Sequence, residues 1–270
     1  MSHFVKNAAV ATPRQLPLEV AADTFVIRAL MPSVGGTLTN LNSMVIRAAE
    51  PLVVDTGMVT DREIWFEDVF SLVRPEDLRW IFVTHNDSDH SGNLLEALDR
   101  CPNAKVITSR GESFRTAASF GIPWERIRIV ESDATFSAGD RMLRPVRPPV
   151  YDSPYTRGLY DHSTQVYYAS DAFCAPMPDG AVDRVDEISA PLWAEGMARF
   201  HHTSLCPWVA LVSPARLRAE VDKLAALGIR TIVGAHTPVI AERSIAQALA
   251  QLAALPETVP PPLVYENMSP

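Results

Sequence analysis

Apolar positions along this chain fall in two patterns, short continuous runs and longer stretches with apolar residues at helical spacing. The runs "DTFVIRAL" (23–30), "SMVIRA" (43–48) and "PLVVDTG" (51–57) predict strands, the last two joined by a turn at Ala49 and Glu50. "VTDREIWFEDVFSLV" (59–73) carries apolar residues at helical spacing, with Asp61 placed as its N-cap. "LRWIFVT" (78–84) predicts a short buried strand, and "SGNLLEALDRCP" (91–102) a helix ended by Pro102. "AKVITSR" (104–110) predicts a strand and "GESFRTAASFG" (111–121) a helix closed by Gly121. Beyond residue 124, "RIRIV", "RMLRPV", "GLYDHSTQVYYASD" and "TIVGAH" predict strands. "SPARLRAEVDKLAALG" (213–228) predicts an amphipathic helix with Ser213 as N-cap, Pro214 at the first helical position and Gly228 as the stop. "AERSIAQALAQLAAL" (241–255) predicts the last helix. Each half runs strands then helices, without an internal repeat. The expected fold class is therefore α/β: one domain of two packed sheets with helices outside. Residues 1–22 read as a lead-in, 23–255 as the domain and 256–270 as a proline-rich extended tail.

Composition narrows the classes. The 270 residues are 47% hydrophobic and 21% charged, ordinary for a globular protein, and carry a formal net charge of -8. That charge argues against non-specific binding to nucleic acid or anionic membrane, so neither is expected as a partner. No signal peptide opens the chain, and no run reaches the roughly 18 apolar residues of a membrane span. Cys101, Cys174 and Cys206 are odd in number, far apart and outside any CxxC pair, which predicts bland buried thiols and a cytoplasmic location.

The candidate chemistry sits in "HNDSDHSGN" (85–93), directly after the strand "WIFVT". His85, Asp87, Asp89 and His90 leave the end of a buried strand in an irregular loop and can converge on one point. Imidazole and carboxylate suit zinc, iron and manganese. The bland reading is a polar cap for the helix from Ser91, but a cap needs only one such residue. Asp152 in "PPVYDSP", Asp171 in "YYASDAF" and His236 in "TIVGAH" each follow a β-run, where active-site groups of layered α/β proteins collect. Each alone reads equally well as a turn residue or helix cap. Tyr151 and Tyr155 flank Asp152 as candidates to line the cleft, and His201 and His202 are candidate second-layer or substrate-facing groups. Trp193 and Trp208 read as packing. "VGGTLT" (34–39) lacks the lysine and following helix of a phosphate loop, and no GxSxG stretch is present.

These segments, in this order, resemble the metallo-β-lactamase superfamily with its αβ/βα sandwich. The likeness spans roughly residues 24–245. It rests on "NLNSMVIRAAEPLVVDTG" with the structural Asp55, an HxxxDH core at His85, Asp89 and His90, the "SDAF" aspartate Asp171, and His236 in "GAHTPVI". Zinc hydrolases of the superfamily carry HxHxDH, whereas this chain carries HxDxDH. An acid in the third slot is similar to the flavodiiron, oxygen-binding di-iron branch. The resemblance implies one metal at His85 and Asp87, another at Asp89, His236 and His90, and Asp171 as the bridge. It places a histidine where this chain has Asp152. Either Asp152 is a carboxylate ligand or the first site is weakened or empty; His162 is a less well placed substitute.

Four aspartates in one pocket would repel one another without cations, and two divalent ions would neutralise them. Hard oxygen donors suit iron or manganese, although acids also bind zinc. The implied cofactors are two metal ions, iron first and zinc or manganese as alternatives. No flavin is expected on this chain, which ends with no room for a flavodoxin-like domain after His236. The expected function is binding or reduction of O₂ or NO, or use of O₂ for oxidation, with a small diatomic or other small molecule as substrate. A separate reductase and a second copy of the chain are the implied partners. The alternatives are a non-enzymatic oxygen or redox sensor, a metal-dependent hydrolase of a thioester, lactone or phosphodiester, and a degenerate member with one metal or none.

Overall fold

Strand residues in this chain alternate strictly between two apolar layers, and that alternation builds the architecture. The structure is a computed structural model that describes residues 14–33, 37–132, 134–177 and 182–259. Seven strands form the first sheet in chain order: β1 (Leu18–Ala21), β2 (Thr24–Pro32), β3 (Leu38–Ile46), β4 (Leu52–Val54), β5 (Trp80–Phe82), β6 (Lys105–Thr108) and β7 (Ile127–Ile129). The second sheet is built from β8 (Phe136–Ser137), β9 (Met142–Val146), β10 (Gly158–Asp161), β11 (Val166–Tyr168), β12 (Thr231–Val233) and β13 (Ile240–Ala241), again in sequence order across the sheet. Pairs are antiparallel up to β4 and parallel from β4 to β7, and the second sheet has one parallel pair, β11 with β12.

Met44, Ile46, Leu52, Val54 and Phe82 point from the first sheet onto Leu143, Leu159, Val166, Tyr168 and Val233 of the second. The intervening residues Val45, Val53 and Ile81 face the other way, onto α1 (Arg62–Leu72) and α3 (Leu94–Arg100) through Trp65, Phe66, Leu94 and Leu98. Tyr167 and Ile232 likewise leave the second sheet toward α5 (Ala190–Phe200), α6 (Pro214–Ala225) and α7 (Glu242–Ala254). Three apolar layers therefore separate helix, sheet, sheet and helix, which is the two-sheet αβ/βα sandwich.

Several elements differ in detail from the sequence pattern. Residues 18–21, inside the stretch read as lead-in, form β1 against β2. They were too short to show a period. The predicted helix over 91–102 is two: α2 (Ser88–Ser91) and α3, divided at Gly92. The loop read as irregular is thus partly a helical turn, with Asp89 and His90 on it and Asp87 at its start. The helix over 111–121 is α4 (Arg110–Phe120), closed by Gly121 in the left-handed conformation (φ 65). Asp61 and Ser213 stand at their helix starts but make no side-chain capping bond. Residues 34–36 of the glycine-rich stretch and 260–270 of the tail lie outside the described residues.

Gly92 is where α2 meets the loop after β4. A Cβ there would stand 2.5 Å from the Ser88 carbonyl oxygen and 2.7 Å from that of Gly57. Both neighbours are backbone and cannot rotate away. Gly92→Ala is expected to lower unfolding stability by about 1–3 kcal/mol, read from denaturant midpoints, and to shift the turn that carries Asp89 and His90.

Candidate metal centre

The parallel strands end on one rim of the sandwich, and their C-terminal extensions carry the polar side chains. His85 follows β5, Asp171 follows β11, His236 follows β12, and Asp152 lies in the loop from β9 to β10. His85, Asp87, Asp89, His90, Asp152, Asp171 and His236 line one cavity of about 140 Å³. Their candidate donor atoms form three overlapping groups: His85 with Asp87 and Asp152, Asp89 with His90 and His236, and His85 with His90 and Asp171.

Each histidine is oriented by a bond on its far nitrogen. Asp55 Oδ1 and Oδ2 accept from the Thr84 amide and hydroxyl, both at 2.9 Å. Asp55 Oδ2 also accepts from His90 Nδ1–H at 2.8 Å. Since the Thr84 proton is committed to Asp55, Thr84 Oγ1 accepts from His85 Nδ1–H at 3.1 Å. His236 Nδ1–H donates to the Asn40 carbonyl at 2.9 Å. All three rings therefore turn Nε2 to the cavity, the orientation in which a neutral imidazole presents a lone pair to a metal.

Asp171 stands between them. Its Oδ2 is 3.4 Å from His85 Nε2, while Oδ1 is 2.9 Å from His90 Nε2 and 3.3 Å from His236 Nε2. Asp89 Oδ2 lies 3.1 Å from His236 Nε2 and 3.5 Å from His90 Nε2. On the other side, Asp152 Oδ2 is 3.4 Å and Asp87 Oδ2 is 3.8 Å from His85 Nε2. Asp152 is held by its Oδ1, which accepts from the Ser153 amide at 2.6 Å and the Thr156 hydroxyl at 3.2 Å. Asp87 starts α2 without a side-chain capping bond, so its carboxylate is not spent on the helix.

Electrostatics follow from this crowding. Burial opposes the charge on Asp171, but His90, His85 and His236 beside it hold its carboxyl well below the usual range. Burial likewise works against Asp89, and the His236 bond and His90 charge overcome it and lower its pKa. For His236 burial is outweighed by the bonds to Asp171 and Asp89, which lift it to about 9. His90 rises well above its ordinary value, since Asp171 and Asp55 outweigh burial. Without a cation the site is thus a set of ion pairs in which protons occupy Nε2 positions.

The donor set fits metal ions. His85 Nε2 is buried and has no hydrogen-bond partner, although three carboxylates surround it. Donors about 2.1 Å from a shared ion at right angles stand about 3 Å apart, close to the spacings here.

Four candidates do not line the cavity. Tyr151 packs on Trp208, with ring centroids 5.5 Å apart, and borders a separate cleft. Tyr155 is partly exposed and covers Gly111. His202 Nε2 bonds to the Leu255 carbonyl at 2.8 Å and to the Thr258 hydroxyl at 3.0 Å. His201 is buried behind the wall, donating from Nδ1 to the Met197 carbonyl at 2.7 Å. Phe200, Ser204 and Leu205 line the cavity instead. The reason is a π-helical turn over His201–Leu205, which widens the helix and changes which side chains face the rim. Sequence spacing does not reveal such a turn. His162 lies in the β10–β11 turn, its ring 5.0 Å from Tyr160.

A two-sheet αβ/βα sandwich with a histidine and aspartate cluster at its strand ends defines a protein of metallo-β-lactamase fold with a candidate dinuclear metal centre. Residues 39–237 match the family model described as ODP family beta lactamase, and the chain belongs to that family. Its curated relatives include diflavin flavoproteins and a nitric oxide reductase. It is 24% identical over 198 residues to a nitric oxide reductase of Moorella thermoacetica, covering 73% of this chain and 49% of that protein. It is 25% identical over 148 residues to diflavin flavoprotein A 1 of Synechocystis, covering 55% of this chain and 26% of that one. The chain thus spans a quarter to a half of these relatives. Among solved structures, the rubredoxin oxygen:oxidoreductase of Desulfovibrio gigas shares the fold with a TM-score of 0.77 at 16% identity, over 89% of this chain and 61% of that one. The flavodiiron protein of Giardia intestinalis aligns with a TM-score of 0.74 at 16% identity, over 91% and 61%. No helix among the described residues is long and apolar enough to cross a membrane.

His201 generates a pH prediction. Burial lowers its pKa to about 4, while the unfolded ring titrates near 6.5. The unfolded chain therefore takes up a proton first as pH falls. The stability due to the neutral ring is complete above pH 6.5 and is lost progressively down to pH 4, by about 3 kcal/mol in total. Denaturant melts at pH 7.5 and 5 should show this loss, and His201→Phe should reduce it.

Proposed function

We propose that this chain is the metal-bearing unit of a redox protein that binds or reduces O₂ or NO at a di-iron centre. One observation carries the reading: two donor clusters joined by the Asp171 carboxylate, with the acid Asp87 beside His85, in a cavity of about 140 Å³. That volume holds a few water-sized groups and suits a diatomic better than an acyl or phosphodiester substrate. His85, Asp87 and Asp152 would hold one ion and Asp89, His90 and His236 the other, with Asp171 between them. The ions would supply one-electron chemistry and an open coordination position for the diatomic.

The chain's own residues prepare that centre. Asp55, Thr84 and the Asn40 carbonyl fix the imidazole tautomers before any ligand arrives. Four carboxylates favour the higher oxidation state of iron over a softer, imidazole-rich set. Phe200 and Leu205 form an apolar wall that limits water around the donors. Asp87, half exposed, borders the cavity on its solvent side. Electrons would come from a partner or another domain, in line with the flavoproteins among the relatives.

Metal analysis of protein purified without added metal should find close to two irons per chain, with a ferric absorption that bleaches under reductant and returns with air. Two zincs and no spectral change would overturn the redox reading in favour of a hydrolase. Asp152→Ala is expected to lose about one of the two ions while the fold persists; unchanged stoichiometry would remove Asp152 from the ligand set.

Loading should also release protons. His236, at about 9 without metal, carries one near neutral pH that a cation must displace. Metal affinity is therefore expected to rise with pH up to about 9, and a pH-indicator titration should register the release. The same ion pair stabilises the metal-free chain fully below pH 6.5 and is lost as pH rises through 9.

A further inference from the structure

The loop from β9 to β10, which carries Asp152, is fastened to α4, a helix that supplies none of the described residues lining the donor cavity. Arg115 of α4 reaches the loop, its Nη1–H donating to Ser153 Oγ at 2.8 Å. Ser153 in turn gives its amide to Asp152 Oδ1, while Asp152 Oδ2 faces His85 Nε2 at 3.4 Å. Ser109, at the start of α4, makes a second tie by donating from Oγ to the Tyr155 carbonyl at 3.1 Å. Between these ties helix and loop touch so closely that a Cβ on Gly111 would stand 2.2 Å from the Tyr155 ring. Arg115 is itself held from behind. Glu112 on the same helix is buried, and its Oε2 lies 3.5 Å from Arg115 Nη1. Burial raises the Glu112 pKa, and the Arg115 charge is the largest influence opposing it. A buried carboxylate is costly without a cation beside it, so this pair commits the guanidinium to its direction.

We infer that Arg115 is a positioning residue for one metal site: through Ser153 it sets the Asp152 carboxylate against His85 and so governs how tightly that site holds its ion. The inference rests on the reading of Asp152 as a ligand. Two roles for Arg115 differ in sign. As a bare positive charge it would repel a metal cation, and its removal would tighten binding. As a strut it holds the loop, and its removal would weaken binding, since groups that orient a ligand typically contribute about 10–100-fold in metal affinity. The geometry favours the strut. The Arg115 side chain is partly exposed, so solvent screens its bare charge, whereas its bond to Ser153 is direct.

Cobalt(II) is the probe, titrated into the full chain after dialysis against a chelator and followed by visible absorption, with circular dichroism and melting as checks on the fold. Arg115→Met keeps the length of the side chain and removes the bond. Ser153→Ala removes the acceptor but keeps the amide that holds Asp152, and this milder change carries the test if Arg115→Met does not fold. Each is expected to weaken one of the two cobalt ions by about tenfold and to leave the other unchanged. Asp152→Ala, expected to hold one ion, isolates the route: adding Arg115→Met to it should leave the affinity of the remaining ion as it was. Tighter or unchanged binding in Arg115→Met or Ser153→Ala would overturn the inference. Equal weakening of both ions, or further weakening in the Asp152→Ala background, would show a general loosening and overturn it too. If Asp152→Ala keeps both ions, the ligand reading falls and the inference with it. If Asp152→Ala loses one ion while Arg115→Met holds both at full affinity, only the positioning role falls.

Discussion

The Asp171 carboxylate lies buried among three imidazoles that arrive from both sheets, and the rest of the molecule is arranged around that contact. A buried carboxylate is costly unless paired, and three more acids crowd the same cavity. The imidazoles supply compensating charge by holding protons, or cations supply it when bound. Both solutions need His85, His90 and His236 to present Nε2 inward. Asp55 therefore matters as much as any donor: it orients His90 directly and His85 through Thr84.

Bringing the two sheets to one rim requires a joint between them. Asn42 of β3 makes it, donating from Nδ2 to the carbonyls of Gly234 and Thr237, both at 2.8 Å, beside His236. The Tyr168 hydroxyl returns a bond to the Asn42 carbonyl at 2.6 Å, and the Ser170 hydroxyl meets Thr84 at 3.2 Å. Backbone strain collects at the same place. Asp55, Ser170 and Phe173 all have positive φ, at 58°, 53° and 70°. Such conformations persist where the surroundings over-determine them, as at functional sites. The strain turns the chain sharply after β4 and β11, which aims Asp55 and Asp171 inward.

The chain belongs to the ODP family, and its donor cluster is rich in acids. Asp152 is the point where this chain departs from the pattern it resembles. The structure puts its carboxylate beside His85, held by Ser153 and Thr156.

Much of this was legible in the sequence. The continuous apolar runs in "SMVIRA", "PLVVDTG" and "QVYYASD" announce strands buried on both faces, because successive side chains must point to opposite layers. The spacing in "HNDSDH" announces a donor cluster, because few other roles need two imidazoles and two acids in six positions. Other features depended on contacts far apart in the chain. The short strand β1 exists only because β2 is there to pair with it. The helix before Pro102 breaks at Gly92 because α2 packs on backbone from the β4–α1 loop. Phe200, Ser204 and Leu205 reach the cavity, and His201 and His202 do not, through a π-helical turn that local propensity does not encode. The sequence by itself determined the layers and most of the donor residues, since burial and ligand chemistry are local properties of residue type. Only the tertiary structure decided which nitrogen each histidine presents and which side chains close the cavity, since both follow from hydrogen bonds between residues up to 196 positions apart.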